Sequence, residues 1–240
     1  MKQLDGKVAL VTGASAGIGK GIANAFAKEG ARLIIASRNK SKLDATANEL
    51  ISQGTTVLSV PTDVTQETQV AALFEKIMQE FGRLDILVNN AGVYQEASLE
   101  ETSLEVWRRT MDVNLTGPFL CSREAMKIMK TQRWGRIINI GSISAQMPRP
   151  NAAPYSCSKM GLIALTKTTA LEGRAFGVIA CIIHPGNVET AQMNELTTAE
   201  PVMAVDDLMK VVVTVAALPT HMNMLETIVL PVKQLYLGRG

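Results

Sequence analysis

Aromatic residues and excess charge are both scarce in this chain of 240 residues. Phe, Trp and Tyr together make up 4 % of the sequence, and the formal net charge is +2 at pH 7. The chain therefore lacks the stacking platforms and the strongly basic surface with which proteins bind nucleic acids. It also lacks the charge that attracts proteins to anionic membrane surfaces. We expect neither a nucleic acid nor a membrane as a partner.

Long apolar runs and paired cysteines are missing as well. No apolar run reaches the roughly 18 residues of a membrane-spanning helix, and no succession of basic, apolar and small residues predicts a signal peptide. The three cysteines, Cys121, Cys157 and Cys181, are odd in number and lie in apolar-patterned segments. This usage predicts buried, reduced thiols in a cytoplasmic protein.

Short apolar runs alternate with segments of helical periodicity along the sequence. The runs are rich in Val, Ile and Leu and lack period-two alternation, which is typical of strands covered on both faces. We predict an α/β fold, a three-layer, doubly wound parallel sheet of about seven strands (a Rossmann fold). No linker or repeat divides the sequence, so we predict a single domain over residues 1–240. A long helix is expected at 103–132, interrupted near Gly117-Pro118.

Three glycines stand where the first apolar run becomes a helix. Gly13, Gly17 and Gly19 follow the run at residues 7–12 and surround the start of helical spacing at Ile18. Glycines at such a turn let the backbone approach a pyrophosphate, and the helix N-terminus supplies free N–H groups. The spacing alone is compatible with a simple tight turn, but its place between strand and helix favours a nucleotide-binding site.

The second apolar run ends in a serine and an arginine, Ser37 and Arg38. Sites for NAD in this fold usually carry an acidic residue near this position, which accepts hydrogen bonds from the ribose. This sequence has no acid there, and a guanidinium suits a 2′-phosphate. The pair therefore favours NADP(H) over NAD(H), with a solvated loop arginine as the alternative.

Further candidate groups end the later strands, at the edge where a parallel sheet binds its ligand. The residues after the third strand could bind adenine. The amide side chains after the fourth strand would fix loops and support the cofactor, and the hydroxyl after the fifth strand could donate a hydrogen bond to a substrate carbonyl. Each group alone is more often structural than functional. In chain order they are Asp63 and Val64, NNAG at 89–92, Ser142, and His184-Pro185-Gly186.

Two more residues stand out within predicted helices. Asn114 is a poor interior residue for the long helix, and we expect it to hold a water molecule through its side chain or a locally freed backbone carbonyl. Tyr155 and Lys159 lie in a helical segment at 151–170, and their spacing places them on one helix face. A nearby ammonium lowers the pKa of a phenol and makes it a proton donor and acceptor near neutral pH. Taken alone, this pattern more often marks a tyrosine and a lysine on the surface of an ordinary helix. Cys157 lies between them in sequence, but the helical twist points its side chain in another direction.

Taken together, these motifs resemble those of the classical short-chain dehydrogenase/reductase family. The matching segments follow the family's order and cover essentially the whole sequence. They are TGASAGIG at 12–19, DV at 63–64, NNAG at 89–92, Asn114, Ser142, YSCSK at 155–159 and PGNVET at 185–190. Within the family the chain resembles 3-oxoacyl-carrier-protein reductases and broad small-carbonyl and hydroxy-acid reductases, although it lacks the glycine-glycine ending common in the former.

The resemblance implies an oxidoreductase that transfers a hydride between NADPH and a small carbonyl or secondary alcohol substrate. Tyr155 would be the general acid that protonates the carbonyl oxygen, or the base in the oxidative direction. Lys159 would lower the pKa of Tyr155 and bond the nicotinamide ribose, and Ser142 would orient and polarise the carbonyl. Asn114 would anchor a water that continues a proton relay from Lys159.

The resemblance also assigns the residues around the cofactor. No residue is assigned to a metal, and the stretch at 187–204 corresponds to a short substrate lid. The residues assigned to NADP(H) are Gly13, Ser15, Ala16, Gly17, Ile18, Gly19, Ser37, Arg38, Asp63, Val64, Asn90, Ala91, Gly92, Tyr155, Lys159, Pro185, Gly186, Val188 and Thr190.

Family members pair as homodimers or homotetramers through the helix at 103–132 and the helix that carries Tyr155. The resemblance therefore implies a homo-oligomer. Several apolar or small residues on these helices fit burial against another helix, but they could equally face the sheet of their own chain. They are Met126, Met129, Leu162, Leu165 and Thr169.

Two other functions are compatible with this fold. A catalytically silent NADP-binding regulator would typically lose the Tyr or the Lys of the helix, and both are present here. Enzymes that epimerise or dehydrate nucleotide sugars usually carry a longer C-terminal substrate domain. We therefore expect the hydride-transferring enzyme.

Overall fold

The computed structural model describes residues 2–190 and 200–235. Within them, seven β-strands built from the apolar runs alternate with helices. The strands are β1 (Val8–Thr12), β2 (Arg32–Ser37), β3 (Val57–Pro61), β4 (Ile86–Asn89), β5 (Gly135–Ile140), β6 (Val178–Pro185) and β7 (Glu226–Val229). The α-helices are α1 (Gly17–Lys28), α2 (Lys40–Ser52), α3 (Glu67–Phe81), α4 (Leu104–Met111), α5 (Gly117–Gln132), α6 (Ala153–Gly173) and α7 (Val205–Ala217).

The strands form one sheet in the order β3-β2-β1-β4-β5-β6-β7. Every neighbouring pair in this sheet is parallel, with Val11 opposite Ile35 on one side and Val88 on the other. The predicted doubly wound parallel sheet is confirmed. The chain order reverses between β1 and β4, so a ligand crevice is expected beyond the carboxyl ends of these two strands.

Both faces of the sheet are covered, which explains the continuously apolar central strands. Helices α1, α2 and α7 pack against one face, and α3 and α5 pack against the other. None of the described helices combines the length and the apolarity needed to cross a bilayer. The buried stripe residues include Ile22 and Phe26 of α1, Leu43 and Leu50 of α2, Val70 and Leu73 of α3, Leu120 and Met129 of α5, and Leu208 and Val212 of α7.

The long helix predicted at 103–132 is divided into α4 and α5 by a π-helical turn at Asp112–Thr116. The turn ends where the sequence predicted the interruption, at Gly117-Pro118. Pro118 lies in the first turn of α5 and supplies no N–H to the carbonyls of the preceding π-helical turn. A Cβ at Gly117 would lie 2.8 Å from Cγ2 of Val64, so close packing requires glycine. π-Helical turns of this kind are frequent at functional sites.

Some expectations about side-chain exposure need correction. Cys121 and Cys181 are buried free thiols as predicted, but Cys157 is exposed, because the helical twist that turns it from Tyr155 turns it toward solvent. Most residues considered for a helix pairing surface are buried within their own chain instead: Met126, Met129, Leu162 and Thr169.

The predicted lid at 187–204 is described only at its ends, since residues 191–199 lie outside the described residues. Val188 forms a parallel β-bridge with Met203. The Met203 N–H donates to the Asn187 carbonyl at 2.9 Å, and the Glu189 N–H donates to the Met203 carbonyl at 2.9 Å. The two described ends of the segment therefore lie side by side, next to the carboxyl end of β6.

Candidate active site

The turn between β1 and α1 is held by the loop that follows β4. Gly13 has φ +68, a left-handed conformation that glycine adopts without strain. The Asn90 side-chain N–H group donates to the Thr12 carbonyl at 2.9 Å. The Thr12 hydroxyl accepts in return from the Asn90 and Ala91 N–H groups, at 3.0 and 3.1 Å. The amides of NNAG thus fix the glycine turn, as the sequence predicted.

The same turn approaches its neighbours so closely that a side chain at Gly19 is excluded. A Cβ there would lie 2.3 Å from both the Asn90 Nδ2 atom and the Gly13 carbonyl oxygen. Gly17, with φ +52, meets nothing closer than Thr190 at 3.6 Å. The backbone of 13–19 therefore forms a cradle at the N-terminus of α1, with the N–H groups that bind anionic groups such as a pyrophosphate.

A cleft of about 810 Å³ extends from this cradle along the carboxyl edge of the sheet. The volume lies in the range of ligand sites. Of the residues predicted for catalysis, Ser142, Tyr155 and Lys159 line the cleft, and Asn114 does not. All residues predicted for the cofactor line it: Gly13, Ser15, Ala16, Gly17, Ile18, Gly19, Ser37, Arg38, Asp63, Val64, Asn90, Ala91, Gly92, Tyr155, Lys159, Pro185, Gly186, Val188 and Thr190.

One end of the cleft has polar groups suited to an adenosine phosphate. The Ser37 hydroxyl is buried and has no hydrogen-bond partner within the described chain, and Arg38 beside it is exposed. Asn39 caps α2 by accepting from the Lys42 N–H at 3.0 Å. An orphaned buried hydroxyl next to an exposed guanidinium fits a phosphorylated ribose.

Asp63 stabilises the turn before α3 at the same end of the cleft. Its Oδ1 atom accepts from the N–H and the hydroxyl of Thr65, at 3.0 and 2.8 Å. The Asp63 N–H donates to the Gln69 side chain at 2.8 Å. These bonds hold the turn before α3 and present Asp63 and Val64 to the cleft.

At the other end, Tyr155 on the first turn of α6 meets Ser142 from the loop after β5. Burial raises the pKa of Tyr155, and a hydrogen bond with the Ser142 side chain and the positive charge of Arg149 oppose the rise. The Ser142 hydroxyl also accepts from the Ser144 N–H at 3.1 Å. Two hydroxyls that bond each other in a cleft can both reach one ligand oxygen.

Lys159 lies one helical turn from Tyr155, and its effect on the pKa of the tyrosine stays a prediction. Its Nζ lies 5.6 Å from the Tyr155 ring centroid and donates to the Ile140 carbonyl at 2.8 Å. Burial lowers the pKa of Lys159 to about 8, while the pKa of Tyr155 is raised. The positive charge of Arg149 also favours the Tyr155 phenolate. The spacing placed Lys159 beside the tyrosine correctly, but it carried no information on desolvation, which acts on both groups.

Asn114 lies behind the cleft in the π-helical turn. Its Oδ1 accepts from the Val93 N–H at 2.8 Å, and its Nδ2 donates to the Val93 carbonyl at 2.9 Å and to the Ser158 hydroxyl at 3.2 Å. Both amide hydrogens are therefore used within the protein. Asn114 thus ties the loop after β4 to α6.

His184 supports Ser142 from β6. Its Nδ1 lies 2.9 Å from the Ser142 carbonyl oxygen and 3.2 Å from the Ser142 nitrogen. Its Nε2 lies 3.3 Å from Oε1 of Glu226, the first residue of β7. A Cβ at Gly141 would lie 2.5 Å from Nδ1, so glycine is needed for this approach. The imidazole thus holds the backbone of a residue whose hydroxyl faces the cleft.

Sequence reasoning missed four polar residues around Tyr155: Tyr94, Glu96, Arg149 and Asn187. The Tyr94 ring meets the Tyr155 ring edge-on, with centroids 5.0 Å apart, and the Tyr94 hydroxyl donates to Glu96 at 2.7 Å. These residues lie in loops without periodicity. The one available signal was their position a few residues beyond strand ends.

The chain matches the model of the short chain dehydrogenase family over residues 7–201. It is 40 % identical over 204 residues to a 3-oxoacyl-[acyl-carrier-protein] reductase of Synechocystis sp., covering 85 % of this chain and 82 % of that protein. It is 40 % identical over 192 residues to glucose 1-dehydrogenase 2 of Bacillus subtilis, covering 79 % and 74 %. The crystal structure of a short-chain type dehydrogenase/reductase from Mycobacterium marinum is similar with a TM-score of 0.89 at 30 % identity, covering 94 % of each chain.

The fold and these relatives define a hydride-transferring dehydrogenase or reductase. The chain belongs to the short-chain dehydrogenase family, as its motifs indicated. It is therefore an enzyme that uses a nicotinamide dinucleotide, NAD(H) or NADP(H), with a small-molecule substrate.

Proposed function

We propose that the chain is an NADP-dependent oxidoreductase that transfers a hydride between NADPH and a carbonyl or secondary alcohol, with Tyr155 as general acid or base. The observation that carries this proposal is that the side chains of Tyr155 and Ser142 meet in one cleft whose other end is the glycine cradle. A carbonyl oxygen in contact with both hydroxyls is oriented and protonated at the same atom.

The protein groups divide the work as follows. When bound, NADPH supplies the hydride for the carbonyl carbon. The Ser142 hydroxyl polarises the carbonyl, and the Tyr155 phenol gives its proton to the carbonyl oxygen in reduction and recovers it in oxidation. Lys159 bonds the ribose and supplies positive charge next to the phenolate. For Asn114, whose amide hydrogens are engaged, the loosened backbone of the π-helical turn favours the carbonyl route to a relay water.

The cofactor would lie along the whole cleft. Its pyrophosphate fits the cradle formed by the backbone of 13–19, and its adenosine phosphate fits Ser37 and Arg38. The adenine ring would lie against Asp63 and Val64, the adenosine side against Asn90 to Gly92, and the carboxamide against the loop after β6, at Pro185, Gly186, Val188 and Thr190.

Changing Arg38 to Asp tests the preference for NADP(H). We expect affinity for NADPH to fall about ten- to a hundredfold, because a charge-assisted hydrogen bond is lost and a carboxylate faces the 2′-phosphate. NADH should bind better than in the unaltered protein. Fluorescence titration with both cofactors measures this. Lys42→Asp makes the same charge change on the exposed face of α2, outside the cleft; unchanged NADPH affinity in the Arg38 variant would refute the phosphate contact.

A substrate panel tests the proposed function as a whole. NADPH oxidation is followed with ketones, aldehydes and 3-oxoacyl thioesters, and NADP+ reduction is followed with sugars. The thioesters and the sugars are included because of the names of the two relatives. We expect turnover in at least one class. Silence across the panel by a protein that still binds NADPH would support the catalytically silent regulator instead.

We further propose a cytoplasmic homo-oligomer, a dimer or tetramer paired through α5 and α6. Large apolar side chains remain exposed on both helices: Phe119 at 44 %, Met160 at 52 % and Leu171 at 64 %. Pairing would cover them. Light scattering at micromolar concentration tests this, and a monomer mass would exclude the pairing.

A further inference from the structure

Arg149 lies in the loop between β5 and α6, at the end of the cleft that holds Tyr155 and Tyr94. Burial raises the pKa of both phenols, and the charge of Arg149 opposes that rise in each. Arg149 lines the same cleft as the two tyrosines, whose rings are in edge contact with centroids 5.0 Å apart. Arg149 is therefore close to the place where the reacting oxygen of a substrate must lie.

The hydrogen bonds of Arg149 leave part of its donor capacity unused. Nη2 donates to Oδ1 of Asn187 at 3.0 Å and to Oε2 of Glu200 at 2.8 Å. Nε is buried and has no partner among the residues of the described ranges. A buried N–H group without an acceptor is unfavourable, because it has lost its hydrogen bond to water. This guanidinium thus lacks an acceptor that a bound molecule could provide.

The polar side chains next to Arg149 form hydrogen bonds with one another. Oε2 of Glu200 accepts from Asn187 Nδ2 at 2.8 Å as well as from Arg149, and Gln234 Nε2 approaches it at 3.4 Å. Glu200 therefore shares its charge among three donors. The arginine side chain as a whole is 24 % exposed and lines the cleft, so a ligand there can contact its exposed part.

We propose that the substrate is a small oxo acid or hydroxy acid, and that Arg149 binds its carboxylate while Tyr155 and Ser142 bind its carbonyl or hydroxyl oxygen. The proposal rests on the hydride-transfer function proposed above. A carboxylate brings both the acceptor oxygens and the charge that a guanidinium prefers. An apolar acyl chain would leave the Arg149 donor unpaired, and a neutral sugar would supply acceptors without charge.

Matched acid and ester substrates test this assignment. The carbonyl compounds are 2-oxobutanoate and acetoacetate, each with its methyl ester. We expect kcat/KM to be higher for the acids in the unaltered enzyme. Arg149→Met should lower kcat/KM for the acids about ten- to a hundredfold more than for the esters, through loss of a charge-assisted hydrogen bond to the carboxylate. Arg149→Lys keeps the charge but not the planar pair of N–H donors. Its kcat/KM for the acids should lie between those of the unaltered enzyme and Arg149→Met.

Two further variants separate carboxylate binding from indirect effects. Arg108→Met removes an exposed cation of α4 outside the cleft and should not distinguish acids from esters. Removing Arg149 also exposes the charge of Glu200, so Arg149→Met is combined with Glu200→Gln. The double variant should remain poor on acids; recovery to the original acid preference would show repulsion by Glu200 alone and overturn the assignment.

The outcomes separate this inference from the proposed function. If kcat/KM in the unaltered enzyme is the same for esters and acids, the carboxylate assignment is wrong and hydride transfer stands. The same holds if Arg149→Met lowers kcat/KM equally for both. If no carbonyl compound is reduced, the proposed function fails. Calorimetric titration of the NADPH-saturated protein with 2-oxobutanoate and its amide then decides about Arg149. Acid binding that Arg149→Met abolishes supports the site, and absence of acid binding refutes it.

Discussion

Replacing Tyr155 by phenylalanine is expected to lower kcat about 100- to 10,000-fold, the usual contribution of a positioned acid or base. The ring and its edge contact with Tyr94 would remain, while the hydroxyl that bonds Ser142 is lost. Binding of NADPH should therefore be nearly unchanged. Steady-state turnover on the best panel substrate, with fluorescence titration of NADPH, measures both quantities.

A control on the same helix sharpens this experiment. Cys157 is exposed one half-turn from Tyr155, and Cys157→Ser should retain normal turnover. Near-normal activity of Tyr155→Phe would reject the tyrosine as the proton donor. Loss of activity in Cys157→Ser would show that this face of α6 has a role that the proposal does not include.

The raised pKa of Tyr155 also fixes the sign of a pH dependence. A raised pKa keeps the phenol protonated through neutral pH, so reduction, which needs the acid, is active there. Oxidation needs the phenolate and should become faster as pH rises. In oxidation kcat/KM should therefore rise with pH above neutrality, whereas in reduction it should stay level and fall only as pH approaches the raised pKa of Tyr155.

Lys159→Met is expected to lower kcat about 100- to 1,000-fold, the usual effect of losing one charged group that stabilises a transition state. Nζ is buried against the Ile140 carbonyl on the same helix face as Tyr155. The methionine side chain fills similar space without the charge. NADPH affinity should also fall, because Lys159 is proposed to bond the ribose.

The same variant is expected to be more stable than the unaltered protein near neutral pH. In the folded state burial lowers the pKa of Lys159 from 10.5 to about 8. The unfolded chain therefore binds the proton more strongly, and the buried charge penalises folding fully below pH 8. Removing it, less the lost hydrogen bond, should raise the free energy of unfolding by about 2 kcal/mol.

Denaturation with urea at two pH values measures this effect. The penalty in the unaltered protein fades as pH rises from about 8 toward 10.5, so the advantage of Lys159→Met should shrink at alkaline pH. A variant that is less stable at pH 7, or an advantage that grows with pH, would contradict a desolvated ammonium. A gain in stability with a loss of turnover would show that this lysine is kept for chemistry.

The sheet and the glycine-turn end of the cleft could be predicted, because the positions of their residues follow from local sequence pattern. Gly13, Gly17 and Gly19 mark a strand-to-helix turn, and Arg38 stands at a strand end. Such positions are set by chain geometry within a few residues. The position of Tyr155 beside Ser142 follows in the same way, from two neighbouring elements of a parallel sheet.

The electrostatics and the substrate end could not be predicted in this way. The pKa of Tyr155 depends on burial and on Arg149, which lies in an aperiodic loop. Arg149 itself is held by Asn187 and Glu200, which are 38 and 51 residues away in sequence. The hydrogen bonds of Asn114 to Val93 span 21 residues. Contacts between residues so far apart in sequence depend on tertiary packing. They cannot be predicted from the residue spacing within one helix or strand.

The support of Ser142 by His184 and Glu226 has a consequence for the order in which activity appears during folding. These residues come from the last three strands of the sheet, β5, β6 and β7, and each successive contact closes a loop of about 42 residues. Parallel pairing at such separation is slow, whereas the glycine cradle forms from β1, α1 and β4. A refolding chain should therefore recover affinity for the adenosine part of the cofactor before turnover. Turnover requires the four-residue edge strand β7 to dock, whereas binding of the adenosine part requires only the first half of the sheet.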